Sequence, residues 1–146
     1  MNRRAALLDD AALARLLSAA RQARAHAHAP YSGFAVGASL LDEQGQCHAG
    51  CNVENAAYPQ GLCAEAGAIS AMVLAGGRRI QALLVLAQSP AWVSPCGGCR
   101  QKIREFARDD TPIVLARPDG TSQCLTLADL LPHSFGPDHL KLGDRP

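Results

Sequence analysis

Residues Ile80–Ala87 read Ile-Gln-Ala-Leu-Leu-Val-Leu-Ala, apolar at every position but Gln81. A strand with one wet face would alternate, so a short unbroken run predicts a strand covered on both sides, at the centre of its sheet. That demands helices on two faces, and the flanking segments can supply them. Leu13, Leu16, Leu17 and Ala20 recur at i, i+3, i+4 and i+7, an amphipathic helix that Asp9 or Asp10 would cap. The pattern fades over residues 26–29, and Pro30 turns the chain out of helix. Apolar runs at 35–41 and 46–53 flank Asp42-Glu43-Gln44-Gly45, a hairpin with its turn. Residues 64–75 are rich in Ala, with Ile69, Met72, Val73 and Leu74 and almost no charge; they predict a helix buried nearly all round and closed by Gly76-Gly77. A helix over 97–108, a strand over 113–116 and an edge segment at 122–125 follow. The expected fold class is α/β, a three-layer α/β/α sandwich with a mixed β-sheet. A single domain spans 1–146, with its core at about 10–131 and an irregular tail at 132–146.

Bulk composition narrows the function. Lys and Arg number 14 against 13 Asp and Glu, so no global field draws in nucleic acid or an anionic membrane. Aromatics are 4%, too few for a platform that stacks successive bases of a single strand. The first ten residues hold no apolar core of a signal peptide, and no run nears the roughly 18 apolar residues of a membrane span. A cytoplasmic location is expected. There the six cysteines stay reduced, and close spacing among them points to metal or catalysis rather than disulfides.

The chemistry concentrates in Cys63-Ala64-Glu65 and Pro95-Cys96-Gly97-Gly98-Cys99. Cys96 and Cys99 stand i, i+3 at the expected start of a helix, so both sulfurs can point to one side. Free N–H groups there favour thiolates. Taken alone, such a pair fits a redox dithiol or two buried small residues as well as a zinc site. With Cys63 as third ligand, one position of a zinc tetrahedron stays open, the pattern of a catalytic rather than a structural ion. Glu65 cannot share a face with Cys63 in mid-helix, because i and i+2 lie about 200° apart. The two converge if Cys63 is a non-helical cap and Glu65 sits in the first turn, a sharp start that Gly61 would ease. A first-turn Glu is commonly no more than a favourable partner of the helix dipole. Beside an activated water it could also shuttle a proton.

From residue 31 to 140 the chain resembles the short, homotetrameric, zinc-dependent cytidine deaminases. The resemblance rests on Tyr-Ser-Gly-Phe-Ala-Val-Gly-Ala at 31–38, Gly-Cys-Asn-Val-Glu-Asn-Ala-Ala-Tyr at 50–58, Cys-Ala-Glu at 63–65 and Ser-Pro-Cys-Gly-Gly-Cys-Arg-Gln at 94–101. Leu130-Leu131-Pro132 and Phe135-Gly136-Pro137-Asp138 match the family's closing segment. It implies one Zn²⁺ per chain on Cys63, Cys96 and Cys99, with Glu65 as the proton shuttle. The expected reaction is hydrolytic deamination of cytidine and 2′-deoxycytidine, in pyrimidine salvage. Asn52 and Glu54 correspond to residues that bind ribose hydroxyls; on a strand, i and i+2 share a face. Phe34 matches an aromatic beside the nucleoside, and Phe135 one that reaches a neighbouring subunit's pocket. Each could also be core packing.

One departure stands out. The family frequently carries Arg directly after Cys-Ala-Glu, where it donates to the thiolates; this chain has Ala66. Arg100 and the helix N–H groups are the expected substitutes. Cys47, Cys51 and Cys124 read as buried small residues, and the histidines show no metal spacing. Trp92 is expected to pack in a loop leading to Pro95. The alternatives are a deaminase of another aminopyrimidine nucleoside, an editor of nucleic acid, and a non-catalytic zinc-binding relative.

Overall fold

A computed structural model describes residues 8–140. Asp9, in extended conformation, caps helix α1 (Asp10–Ala25), its carboxylate accepting the Ala12 N–H at 2.7 Å. Strands β1 (Val36–Asp42) and β2 (Cys47–Cys51) form the predicted hairpin. Helix α2 (Ala64–Leu74), strand β3 (Ile80–Ala87), helix α3 (Gly97–Phe106) and strands β4 (Pro112–Ala116) and β5 (Ser122–Thr126) follow. A short helix α4 (Leu127–Leu130) and a 3₁₀ turn at Pro137–Leu140 close the described chain. Residues 141–146 of the expected irregular tail lie outside the described residues.

The strands order as β2-β1-β3-β4-β5. The apolar run takes the central place, antiparallel to β1 and parallel to β4, so the sheet is mixed. Period-two alternation then splits its side chains between two cores. Leu83 and Val85 join Ala38, Leu40, Ile113 and Leu115 under α2 and α3, with Ala68, Met72 and Ile103. Leu84 and Leu86 join Leu41, Val114 and Ala116 under α1, with Leu16 and Ala20. Each fully buried leucine contributes about 1.5–3 kcal/mol, which is why a continuous apolar strand settles only in this middle layer.

Three expectations need correction. Helix α2 is not buried all round: Leu74 is 91% exposed, because the helix lays only one face on the sheet. Cys47, Cys51 and Cys124 are half-buried rather than buried, since they ride on the edge strands β2 and β5. Helix α4 was not anticipated, although Thr126 and Asp129 form a complete capping box at its start.

Two backbones touch where the sheet meets α2. Gly50 of β2 lies so close to the helix that a Cβ there would stand 2.4 Å from the Ala68 nitrogen and 2.5 Å from the Ala64 oxygen. Only glycine permits that approach. It brings the start of α2 hard against the end of β2, and the candidate site is built there.

Candidate active site

Both metal-ligand segments open helices. Cys63 is the N-cap of α2 at φ −75°, ψ 154°, and Cys96 the N-cap of α3 at φ −65°, ψ 167°. The extended caps swing their sulfurs away from the helical faces, and Cys99 follows in the first turn of α3. The Cys63 and Cys96 sulfurs are 3.9 Å apart, and all three lie within 4.8 Å of one another. Two sulfurs bound at about 2.3 Å to one tetrahedral ion stand about 3.8 Å apart, so the spacing fits zinc. Among the described residues, no other cluster of His, Cys, Asp or Glu is gathered in this way.

Glu65 takes the first turn of α2, as the cap geometry required, and is 4% exposed. Its Oε2 accepts the Cys99 thiol at 3.5 Å. Gly61 has φ −61°, an ordinary extended conformation, so glycine's freedom is not what turns the chain here. Burial pushes the Glu65 carboxyl above its ordinary range, against the opposing pull of backbone N–H, Cys99 and Lys102. Burial also pushes up Cys63 and, further, Cys99, which additionally faces the Glu65 charge. Cys96 moves the other way: the Cys99 backbone N–H holds it down, outweighing burial. Helix-start N–H groups therefore act on one of the three sulfurs, and the other two thiols need a cation to lose their protons.

These groups line a cavity of about 410 Å³ shared by Cys63, Glu65, Cys96, Asn52, Glu54 and Phe34. That volume suits a small ligand. The rest of the lining includes Val36, Val85, Tyr58, Leu62, Val93 and Ser94, none of them singled out in the sequence for this place. The continuous apolar pattern marked Val85 as buried but could not say against what.

Asn52 and Glu54 lie just past the end of β2, in an extended stretch held by single bridges of Val53 to His28 and Leu62. They still present both side chains to the cavity, although the strand expected to carry them stops at Cys51. Asn52 accepts the Val36 N–H at 2.8 Å and donates to the Phe34 oxygen at 2.8 Å. Glu54 accepts the Tyr31 and Ser32 N–H groups at 2.9 and 3.1 Å and the Ser32 hydroxyl at 2.5 Å. The Ser32 bonds outweigh the small effect of burial and hold the Glu54 carboxyl low, so it is a carboxylate at neutral pH. Each side chain keeps capacity for a further partner: one amide hydrogen on Asn52, one lone-pair site on Glu54. Ser32, the residue that orients Glu54, stood in the sequence only as part of the 31–38 match, with no role of its own.

Phe34 lines the cavity and is 40% exposed. Phe135 does not line it; it stacks on His139 at 5.3 Å between ring centres and is 58% exposed. Arg100 differs from expectation. Its guanidinium donates to the Pro95 oxygen at 2.7 Å, the Leu130 oxygen at 2.7 Å and the Ser94 hydroxyl at 2.8 Å. The contacts it makes are to oxygens, because a side chain at position 100 leans back past the cap to the loop before it. Trp92 packs as expected, under the Arg117 guanidinium at 4.0 Å.

Residues 11–115 match the family described as the cytidine and deoxycytidylate deaminase zinc-binding region. Cytidine deaminase from Sporosarcina psychrophila is 43% identical over 126 residues, 86% of this chain and 93% of that protein. The cytidine deaminase of Mycobacterium tuberculosis strain H37Rv is 41% identical over 121 residues, 83% of this chain and 87% of that protein. The crystal structure of cytidine deaminase from Burkholderia pseudomallei shares 39% identity at a TM-score of 0.79, covering 84% of this chain and 98% of that one. The three sulfurs and the carboxylate lie within the span of a likeness that covers most of the chain, and the chain belongs to the cytidine and deoxycytidylate deaminase zinc-binding family.

Proposed function

We propose that the protein hydrolyses the 4-amino group of cytidine and 2′-deoxycytidine, releasing ammonia and leaving the uridine nucleosides. One observation carries this reading: three zinc-spaced sulfurs and one buried carboxylate converge at a cavity that also presents Asn52 and Glu54. Cys63, Cys96 and Cys99 hold Zn²⁺, which when bound supplies Lewis acidity that makes water a nucleophile near neutral pH. Glu65 takes the proton of the attacking water and passes it to N3 of the ring. After addition at C4, the carboxylate takes the remaining proton from the new C4 hydroxyl and hands it to the amine, so that C4=O forms as the C4–N bond breaks and ammonia leaves. This two-way traffic is served by a carboxyl whose pKa burial has raised. The spare hydrogen of Asn52 and the spare lone pair of Glu54 take the ribose hydroxyls, and the Phe34 ring lies beside the nucleoside.

The described residues work as one catalytic domain, in a homotetramer in which Phe135 enters a neighbouring copy's pocket. Exposed Tyr58, Leu62, Leu74 and Phe135 are apolar surface for that assembly. No helix among the described residues is long and apolar enough to cross a membrane, and a cytoplasmic place in pyrimidine salvage suits the near-neutral charge. The deciding experiment follows cytidine loss by ultraviolet absorbance, with wild type and Glu65→Gln matched for bound zinc. Wild type turns over and the variant keeps its metal but fails. A zinc-loaded wild type that leaves cytidine and deoxycytidine untouched refutes the proposal.

A further inference from the structure

We propose that Arg100 is a positioning residue for the metal ligand Cys96: its guanidinium, spread over Ser94, Pro95 and Leu130, locks the peptide that aims the Cys96 sulfur. The inference rests on the reading of Cys63, Cys96 and Cys99 as zinc ligands, and it assigns Arg100 a task that direct donation to sulfur would not.

Cys96 differs from the other two cysteines in the stretch of chain that leads to it. Cys99 is inside a helical turn and fully buried. Cys63 caps a helix whose first turns lie against β2 through Gly50 and Gly67. Cys96 instead ends an irregular stretch, 88–96, that has no strand ladder to fix it, and its side chain, like that of Cys63, is exposed. The direction of its Cα–Cβ bond depends on the Pro95–Cys96 peptide. Arg100 sits one turn into α3, its own N–H bonding the Cys96 oxygen at 3.0 Å, and its side chain leans back toward the helix start. Three donors of one rigid plane then land on the Pro95 oxygen at 2.7 Å, the Ser94 hydroxyl at 2.8 Å and the Leu130 oxygen at 2.7 Å.

Each contact has a physical reason. Pro95 is almost wholly buried, so its carbonyl requires a partner inside the protein. Leu130 ends α4, where a carbonyl has no helical acceptor role left to fill. The planar fork therefore fastens the turn before Cys96 to the end of α4, and it fixes orientation as well as position. A lysine cannot reproduce this, because a single ammonium does not span three oxygens held in one plane. The far end of the same stretch is braced likewise: Arg117 donates to the Pro90 oxygen at 2.8 Å and lies over Trp92.

The test strips the full-length protein of metal and reloads it with Zn²⁺ or Co²⁺ against a competing chelator, for wild type, Arg100→Lys, Arg100→Ala and Ser94→Ala. A displaced sulfur changes both affinity and ligand field. Zn²⁺ affinity of Arg100→Lys falls about 10–100-fold, as for other groups that orient metal ligands, and its Co²⁺ absorption bands move. Ser94→Ala, which removes one arm and leaves the helix alone, shifts both in the same direction by less. Wild-type affinity together with a wild-type Co²⁺ spectrum in Arg100→Lys overturns the proposal. Should both Arg100 variants fail to fold, unchanged affinity and spectrum in Ser94→Ala overturn it instead. Failure of wild type itself to take up one Zn²⁺ with thiolate-type Co²⁺ bands defeats the ligand assignment beneath it, a result that none of the variants can mimic.

Discussion

Gly50→Ala is a substitution of one methyl group, and the geometry makes it severe. The new Cβ would lie 2.4 Å from the Ala68 nitrogen, 2.5 Å from the Ala64 oxygen and 2.7 Å from the Gly67 carbonyl carbon. Ordinary contact begins near 3.4 Å, so α2 must retreat from β2 by about 1 Å, and every atom in the way is backbone. Overpacking of this kind costs about 1–3 kcal/mol, read as a fall in Tm of roughly 3–10 °C. The functional loss should be larger than the stability loss suggests. Cys63 and Glu65 ride on the helix that moves, whereas Asn52 and Glu54 lie in the extended stretch just past β2, on the side that does not. A misplacement of about 1 Å between reacting groups can cost about 100-fold in rate. The assay is kcat/KM for cytidine in zinc-replete protein, beside a thermal melt. Gly67→Ala is the matched control, because its Cβ on the other side of the same contact meets the Gly50 Cα at 3.4 Å. That variant should keep its activity and gain up to about 1 kcal/mol from helix propensity. Equal behaviour of the two variants, or a Gly50→Ala enzyme within about twofold of wild type, would refute the reasoning.

Three other outcomes follow from the charges. Burial works to raise the Asp42 carboxyl, but His48 and the Gln46 and Gln44 N–H groups outweigh it and hold the group below 3.8. It therefore stabilises the fold above about pH 4 and ceases to as pH falls through the lower folded value. Asp42→Asn should lower stability by about 1–2 kcal/mol at pH 7, with the gap narrowing in urea titrations as pH falls below 3.8; a pH-independent gap contradicts this. Because Glu65 must be ionised to accept a proton and its pKa is raised above 4.5, kcat/KM should fall on the acid side with an inflection above that value. A profile flat down to pH 4 counts against it. Cys63 and Cys99 are protonated at neutral pH without metal, so Zn²⁺ uptake should release at least about two protons per chain. Calorimetry in buffers of different ionisation enthalpy measures that number, and a value near zero is incompatible with thiolate ligation.

What the sequence made legible was whatever a local pattern can encode. Residues 80–87 announced a central strand, and Asp9, Cys63 and Cys96 announced helix starts, because an apolar period and a cap are properties of a few neighbouring residues. The three sulfurs were legible as a set because each lies at or near such a start. Other parts were hidden because they depend on approach between distant segments. The Gly50 contact with α2 is invisible without knowing which helix crosses which strand. So is Ser32, whose hydroxyl and N–H orient Glu54 from 22 residues away. Arg100 was misdirected for the same reason: its acceptors include Leu130, which only the folded chain brings near. The outer face of α2 looked like core since composition records that a face is apolar and not what covers it.

The charge of the metal centre can be followed one step further. Three thiolates and Zn²⁺ sum to −1, and the arginine that often offsets this in the family is Ala66 here. Arg100 has its donors on oxygens. Beside Lys102, whose charge reaches Glu65, the backbone is the other source of positive charge: α2 and α3, of 11 and 10 residues, both begin at cysteine caps whose sulfurs are 3.9 Å apart. Each helix start carries roughly +0.5 of an elementary charge in its free N–H groups, which opposes the negative charge of the thiolates. The low Cys96 thiol is one sign of that field, set by the Cys99 N–H. A backbone field differs from an arginine in being fixed by the fold, since it cannot swing away or be screened as an exposed side chain can. Placing the missing cation back, as Ala66→Arg, tests whether the two are equivalent: a field already sufficient leaves Zn²⁺ affinity within about threefold of wild type, whereas a deficit is filled by a gain of tenfold or more.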